Sequence, residues 1–275
     1  MLIDKPHTNA NLTSTKHTSH ILKNINWKIF SILLITGLLG VIAILPLSLE
    51  ISLILAKTLE LPLNNTPPVA AIVLIGLMQN GIFLAIAIAI GLILAPRLDL
   101  KTPILDRYFA KARIIKPKNI LFPALLTGLG MGVLMVTLDK LLFSYQNIQT
   151  VFSAIPLWKR LLAGIFYGGI TSEIICRLFM FAVFVWILSW WWKNPNGKPS
   201  KAAYWLGNAI AALIFAILHL PTITLLTPLT AAVTLRIVLL NTIAGIICGY
   251  LYWKKGLESA MVSHASTHLI LQLFI

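Results

Sequence analysis

An all-α, polytopic bundle of membrane-spanning helices is the fold this sequence predicts, and three observations predict it. Of the 275 residues, 58% are hydrophobic and 11% charged, whereas a soluble domain carries about a quarter of its residues as charges. A chain of this length could bury a core, but it has too few polar side chains to coat one. Long uncharged runs also recur along it, several of them reaching the roughly 20 apolar residues that cross a bilayer.

The elements follow in order. Residues 1–26 are rich in Asn, Thr, Ser and His, have little to bury, and read as a mobile cytoplasmic tail. They do not resemble a cleavable signal, because the apolar run that follows is too long and no small-residue cleavage site ends it. Seven spans come next, at about 28–48, 69–95, 119–138, 161–192, 203–220, 236–253 and 257–275. The piece between Pro46 and Pro62 either extends the first span, lies at the interface, or forms a short eighth helix. Residues 27–118 thus comprise N-terminal helices and a basic loop, and residues 119–275 a transmembrane core.

The net charge of +14 would suit a nucleic acid, but its distribution points elsewhere. With the N-terminus in the cytoplasm, 16 of the 22 Lys and Arg fall on the cytoplasmic side. They lie in the tail to Lys28, the loop 97–118, the stretch 193–201, and Lys254 and Lys255. That asymmetry is the positive-inside pattern of a multi-pass protein and calls for no nucleic acid. The partner it implies is the lipid bilayer, here a cell (plasma) membrane, with anionic headgroups beside the basic loop. Cys176 and Cys248 fall within spans, where a thiol commonly serves as a small apolar filler.

Ionisable groups inside spans are expensive and mark working sites. Glu173 and Arg177 lie at i and i+4 within the fourth span. His219 ends the fifth, one helical turn after Phe215. His264 and His268 lie at i and i+4 on the last span, hence on one face. Each has a structural alternative: Glu173 and Arg177 could neutralise each other, His219 could bond a carbonyl freed before Pro221, and the two histidines could join helices. Together, an acid and three imidazoles form the parts list for water activation: a carboxylate, a proton relay, and donors for an oxyanion.

The order "SEIICR" (Ser172–Arg177), "FAILH" (Phe215–His219) and "HASTH" (His264–His268) resembles the CPBP (Abi) family of intramembrane endopeptidases. That family includes the type II CAAX prenyl proteases. Its pattern is E-E-x-x-x-R, then F-x-x-x-H, then H-x-x-x-N, and the likeness covers about residues 119–275. The resemblance implies that Glu173 is the second glutamate of the acidic pair and Arg177 its organiser. It assigns His219 to water activation and His264 to carbonyl polarisation. Two positions depart from the pattern. Ser172 stands where the first glutamate, the base, is usual, and His268 stands where Asn is usual.

Two arrangements would compensate for Ser172. A modest helix rotation would aim Glu173 at His219. Alternatively, zinc would take Glu173, His219, His264 and His268 as N and O ligands; a metal-free glutamate mechanism is the favoured reading. The function this implies is an intramembrane peptidase, a hydrolase acting on a membrane-associated or lipidated peptide or protein. The alternative is a relative with a degenerate site that binds or scaffolds. A transporter would show repeated halves, and the sequence has none.

Overall fold

The computed structural model describes residues 25–58, 69–110, 116–143 and 155–274. Most of the tail, including His7, His17 and His20, lies outside them. The described residues form nine helices in chain order: α1 (Trp27–Thr58), α2 (Val69–Leu94), α3 (Pro103–Phe109), α4 (Lys118–Phe143), α5 (Leu157–Leu188), α6 (Lys201–Ile217), α7 (Leu220–Thr224), α8 (Ala231–Lys255) and α9 (Leu257–Phe274).

Six helices are long and apolar enough to cross a membrane. The expected seventh span forms α9, which at 18 residues is roughly 27 Å long. Its hydropathy is lowered by Ser259, Ser263, His264, Ser266, Thr267 and His268, but all six are more than half buried, and Ser259, Ser263, His264, Ser266 and Thr267 are fully so. The helix turns that polar face into the bundle. Of the three alternatives for Pro46–Pro62, extension of the first span holds as far as Thr58, with Pro46 inside α1; residues 59–62 lie outside those described.

Two spans run further than the uncharged runs suggest, because their charges neutralise each other. α4 extends through Asp139 and Lys140, and α8 begins before Arg236. Arg236 donates from Nε and Nη2 to the Asp139 carboxylate at 2.5 and 2.6 Å. A bidentate pair of this kind is what lets charges enter the end of a span.

The helix α5 forms the axis of the bundle. It packs against α1 and α9 through its first half and against α2 and α6 through its second. Most of it, over Ala163–Thr171 and Ile174–Phe181, is wound as π-helix, a winding concentrated at functional sites. Ile174, Leu178, Phe181 and Val185 on α5 meet Leu84 and Ile88 on α2 in a fully buried core. Large apolar residues such as Ile75, Ile82, Phe122 and Leu141 cover the outside, where a bilayer would bury them.

Local chemistry sets the ends. Ser200 caps α6 by accepting from Ala203 N–H, and Thr230 caps α8 by accepting from Val233 N–H, the usual use of hydroxyls at helix starts. Gly256 ends α8 with φ +102°, and a Cβ there would lie 2.1 Å from Pro103 Cδ. Only glycine combines that backbone with that proximity.

Candidate active site

The five ionisable residues singled out within the spans converge where α5, α6, α8 and α9 meet. Glu173 is fully buried on α5 and faces α9. His264 Nδ1 donates to Glu173 Oε1 at 2.7 Å, and Arg177 Nε lies 3.1 Å from Oε2. The arginine contact is an ion pair without hydrogen-bond alignment. The Arg177 guanidinium also sits 5.4 Å over the Phe215 ring, which adds a cation–π attraction. The carboxylate is thus shared between its own helix and the next polar helix.

The histidines face a cavity of about 240 Å³ between α4, α8 and α9. His219, His264 and His268 all line it, and Glu173 stands behind His264 rather than in the lining. Contact between Glu173 and His219 is not made; His219 Nδ1 donates instead to Phe215 O at 2.8 Å. The Phe215 ring meets both His219 and His264 edge-on, at 4.6 and 5.8 Å. The aromatic residue of the second motif is therefore the spacer between the two imidazoles.

Hydrogen bonding sets the ring tautomers. A carboxylate or carbonyl oxygen can only accept, so Nδ1 carries the proton in His264 and in His219. In the neutral rings this leaves both Nε2 atoms with a lone pair. His268 is held in the opposite sense. Its Nδ1 lies 3.5 Å from Gln272 Nε2, whose Oε1 accepts from Arg160 Nη1 at 3.4 Å. When the Gln272 amide donates across this long contact, Nδ1 of His268 accepts and its proton lies on Nε2. All three rings line the cavity, and the Nε2 atoms of His264 and His268 both lie near Gly168 of α5.

Close backbone approach makes room for this. The rings of His264 and His268 stack at 5.1 Å and 16°, and His268 lies against Gly164 and Gly168 of α5. A Cβ on Gly168 would lie 2.8 Å from His268 Nε2 and 3.7 Å from His264 Nε2. A Cβ there would press on His268 and make only ordinary contact with His264. Ser172 Oγ donates to Gly168 O, one turn back on its own helix, so its hydroxyl proton is already engaged.

The donor set anticipated for zinc is not the set that is gathered. Among the described residues, ligand atoms of Glu173, Cys248 and His264 lie within 4.8 Å of one another, and His219 and His268 stand outside that group. The Arg177 guanidinium shares the carboxylate, and the Glu173–His264 bond occupies two of those atoms. A cation there would have to displace that bond beside a fixed positive charge, so these residues suit a hydrogen-bonded relay better than a metal.

This arrangement lies within the part of the chain that matches a known family. Residues 154–270 match the family model Type II CAAX prenyl endopeptidase Rce1-like. No curated protein and no solved structure matches the chain. The Rce1-like segment contains all three motifs, from Ser172 to His268, but begins after Asp139 and ends before Gln272. The Asp139–Arg236 pair, the Arg160–Gln272 support and Cys248 carried no motif signal in the sequence. Asp139 and Arg236 lie near span ends, where charges are well tolerated, so neither stood out.

Proposed function

We propose that the protein is an intramembrane endopeptidase of the CAAX protease type, hydrolysing a peptide bond in a membrane-associated protein or peptide. The observation that carries this reading is the gathering of His219, His264 and His268 at one cavity, with His264 backed by Glu173. With the proton of His268 on Nε2, an acceptor for a water proton and a donor for an oxyanion lie one helical turn apart.

The chemistry follows from those roles. A water gives a proton to His264 Nε2, while Glu173 holds the imidazolium that forms. The water oxygen bonds to the substrate carbonyl carbon, and the developing oxyanion accepts from His268 Nε2–H. The C–N bond then breaks, and the proton passes from His264 to the leaving amine. His219 lines the same cavity, and its Nε2 serves as the second acceptor for the attacking water. Glu173 itself is wholly enclosed and acts through His264. No metal enters this sequence.

Ser172 supports a second reading. Where the family pattern has a carboxylate, this chain has a hydroxyl turned back on its own helix, which suits a protein that binds a membrane peptide without cutting it. Cleavage of a panel of membrane-anchored reporter peptides by the intact chain and by His219→Ala separates the two. The peptidase reading expects turnover that the substitution abolishes. Tight binding with no turnover by either form would establish the binding protein instead.

A further inference from the structure

A second cavity, of about 760 Å³, lies where the starts of α1 and α4 meet the turn between α8 and α9, and no histidine lines it. Its walls divide by chemistry. Ile29, Leu92, Leu100 and Ile120 form an apolar side, and Lys101, Lys254 and Lys255 stand exposed on the polar side. Trp253 also lines it and carries Lys254 Nζ over its ring at 3.4 Å. Trp205 and Tyr250 pack with Trp253, at ring separations of 5.7 to 6.4 Å, as aromatic residues cluster at headgroup depth.

Hydrogen bonds across the chain assemble the polar wall. Leu257 N–H donates to Lys101 O at 3.0 Å, and Glu258 Oε1 accepts from Ile104 and Leu105 N–H, both at 3.0 Å. Those bonds tie α3 and Lys101 to the α8–α9 turn.

The charges favour an anion. Two carboxylates line the cavity: Asp99, which pairs with Lys198, and Asp106, which accepts from Thr102 N–H at 3.1 Å and faces Lys101 electrostatically. Setting each acid against its lysine still leaves Lys254 and Lys255. Among the described residues, no carboxylate lies within salt-bridge distance of either.

Tyr252 is the deciding group. Its side chain is fully buried, it lines this cavity, and its hydroxyl has no hydrogen-bond partner among the described residues. A buried donor left unpaired is costly, and native structures seldom keep one without a ligand or water to meet it. One buried O–H donor with two ammonium donors matches the oxygens of a phosphate group. A free phosphate would leave the apolar side bare, whereas the glycerol and first methylenes of a lipid would cover it.

We propose that this cavity binds the phosphate headgroup of an anionic phospholipid through Lys254, Lys255 and Tyr252, with the lipid glycerol against Ile29 and Ile120. Basic pockets between membrane helices hold such headgroups elsewhere. The site is separate from the histidines and stands whether or not they cleave a peptide.

Native mass spectrometry of the full chain in detergent, with phosphatidylglycerol or phosphatidylcholine added, tests this. Phosphatidylglycerol is expected to bind roughly tenfold more tightly than phosphatidylcholine. Lys254→Gln with Lys255→Gln is expected to erase that preference. Tyr252→Phe is expected to weaken phosphatidylglycerol about threefold, the loss of one hydrogen bond. Lys193→Gln with Lys201→Gln removes the same charge outside the cavity and is expected to keep the preference. Equal binding of the two lipids, or equal loss in the two double variants, overturns the proposal, because the attraction then belongs to the whole basic surface. Unchanged binding by Tyr252→Phe overturns it as well. Free glycerol 3-phosphate is the soluble arm: binding as tight as that of phosphatidylglycerol would make this a soluble-phosphate site and overturn the lipid assignment.

Discussion

Glu173 on α5 and His264 on α9, 91 positions apart in the chain, share a buried hydrogen bond of 2.7 Å. The carboxylate also neutralises Arg177, which is 1% exposed. One acid therefore serves both a structural cation and an imidazole at a cavity wall, and the two roles have separable consequences.

Glu173→Gln leaves the Arg177 charge buried without a counter-charge, a change that costs about 3–5 kcal/mol in comparable sites. Its melting temperature in detergent should fall clearly. His264→Ala removes a polar group but leaves the ion pair, and should cost only about 1 kcal/mol while abolishing turnover. Equal loss of stability in the two variants would mean that the carboxylate is not the counter-ion of Arg177.

The Arg160–Gln272–His268 chain predicts a kinetic effect without loss of fold. Gln272→Leu removes the amide that sets the His268 tautomer, so kcat should drop by about 10²-fold, on the order of losing one oxyanion donor, with KM nearly unchanged. Gly168→Ala pushes a methyl against His268 Nε2 and should lower kcat in the same way. Unchanged kcat in both variants would remove His268 from the mechanism.

The Asp139–Arg236 pair joins α4 to α8 at the cavity rim with both side chains largely buried. Asp139→Asn should destabilise by about 3 kcal/mol, the low end for breaking a buried pair. Adding Arg236→Gln should recover part of the loss, because no uncompensated charge then remains. Thermal unfolding of the two single variants and the double variant measures the coupling.

Ser172→Glu places a second carboxylate next to Glu173, one turn from Gly168, against which His268 packs. We expect higher peptidase activity and a changed pH profile, read from turnover across the neutral range. Slower turnover from an already active natural chain would identify the Glu173–His264 pair as sufficient, with Ser172 bystanding.

The amino-acid sequence alone determined the class of this protein and the places of its spans. Hydropathy is a local property: twenty apolar residues must cross the bilayer whatever they pack against. The sequence also named Glu173, Arg177, His219, His264 and His268, because ionisable groups stand out in apolar surroundings. Even α9, too polar by composition to qualify as a span, was legible as an uncharged run, and its histidine spacing placed both imidazoles on one face. What the tertiary structure decided was partnership. Glu173 meets His264 rather than His219, Gln272 backs His268, and Asp139 finds Arg236 97 positions away. Those pairings depend on how closely and at what rotation helices pass one another. Small residues such as Gly164 and Gly168, with the π-winding of α5, set that approach, and neither hydropathy nor spacing records it.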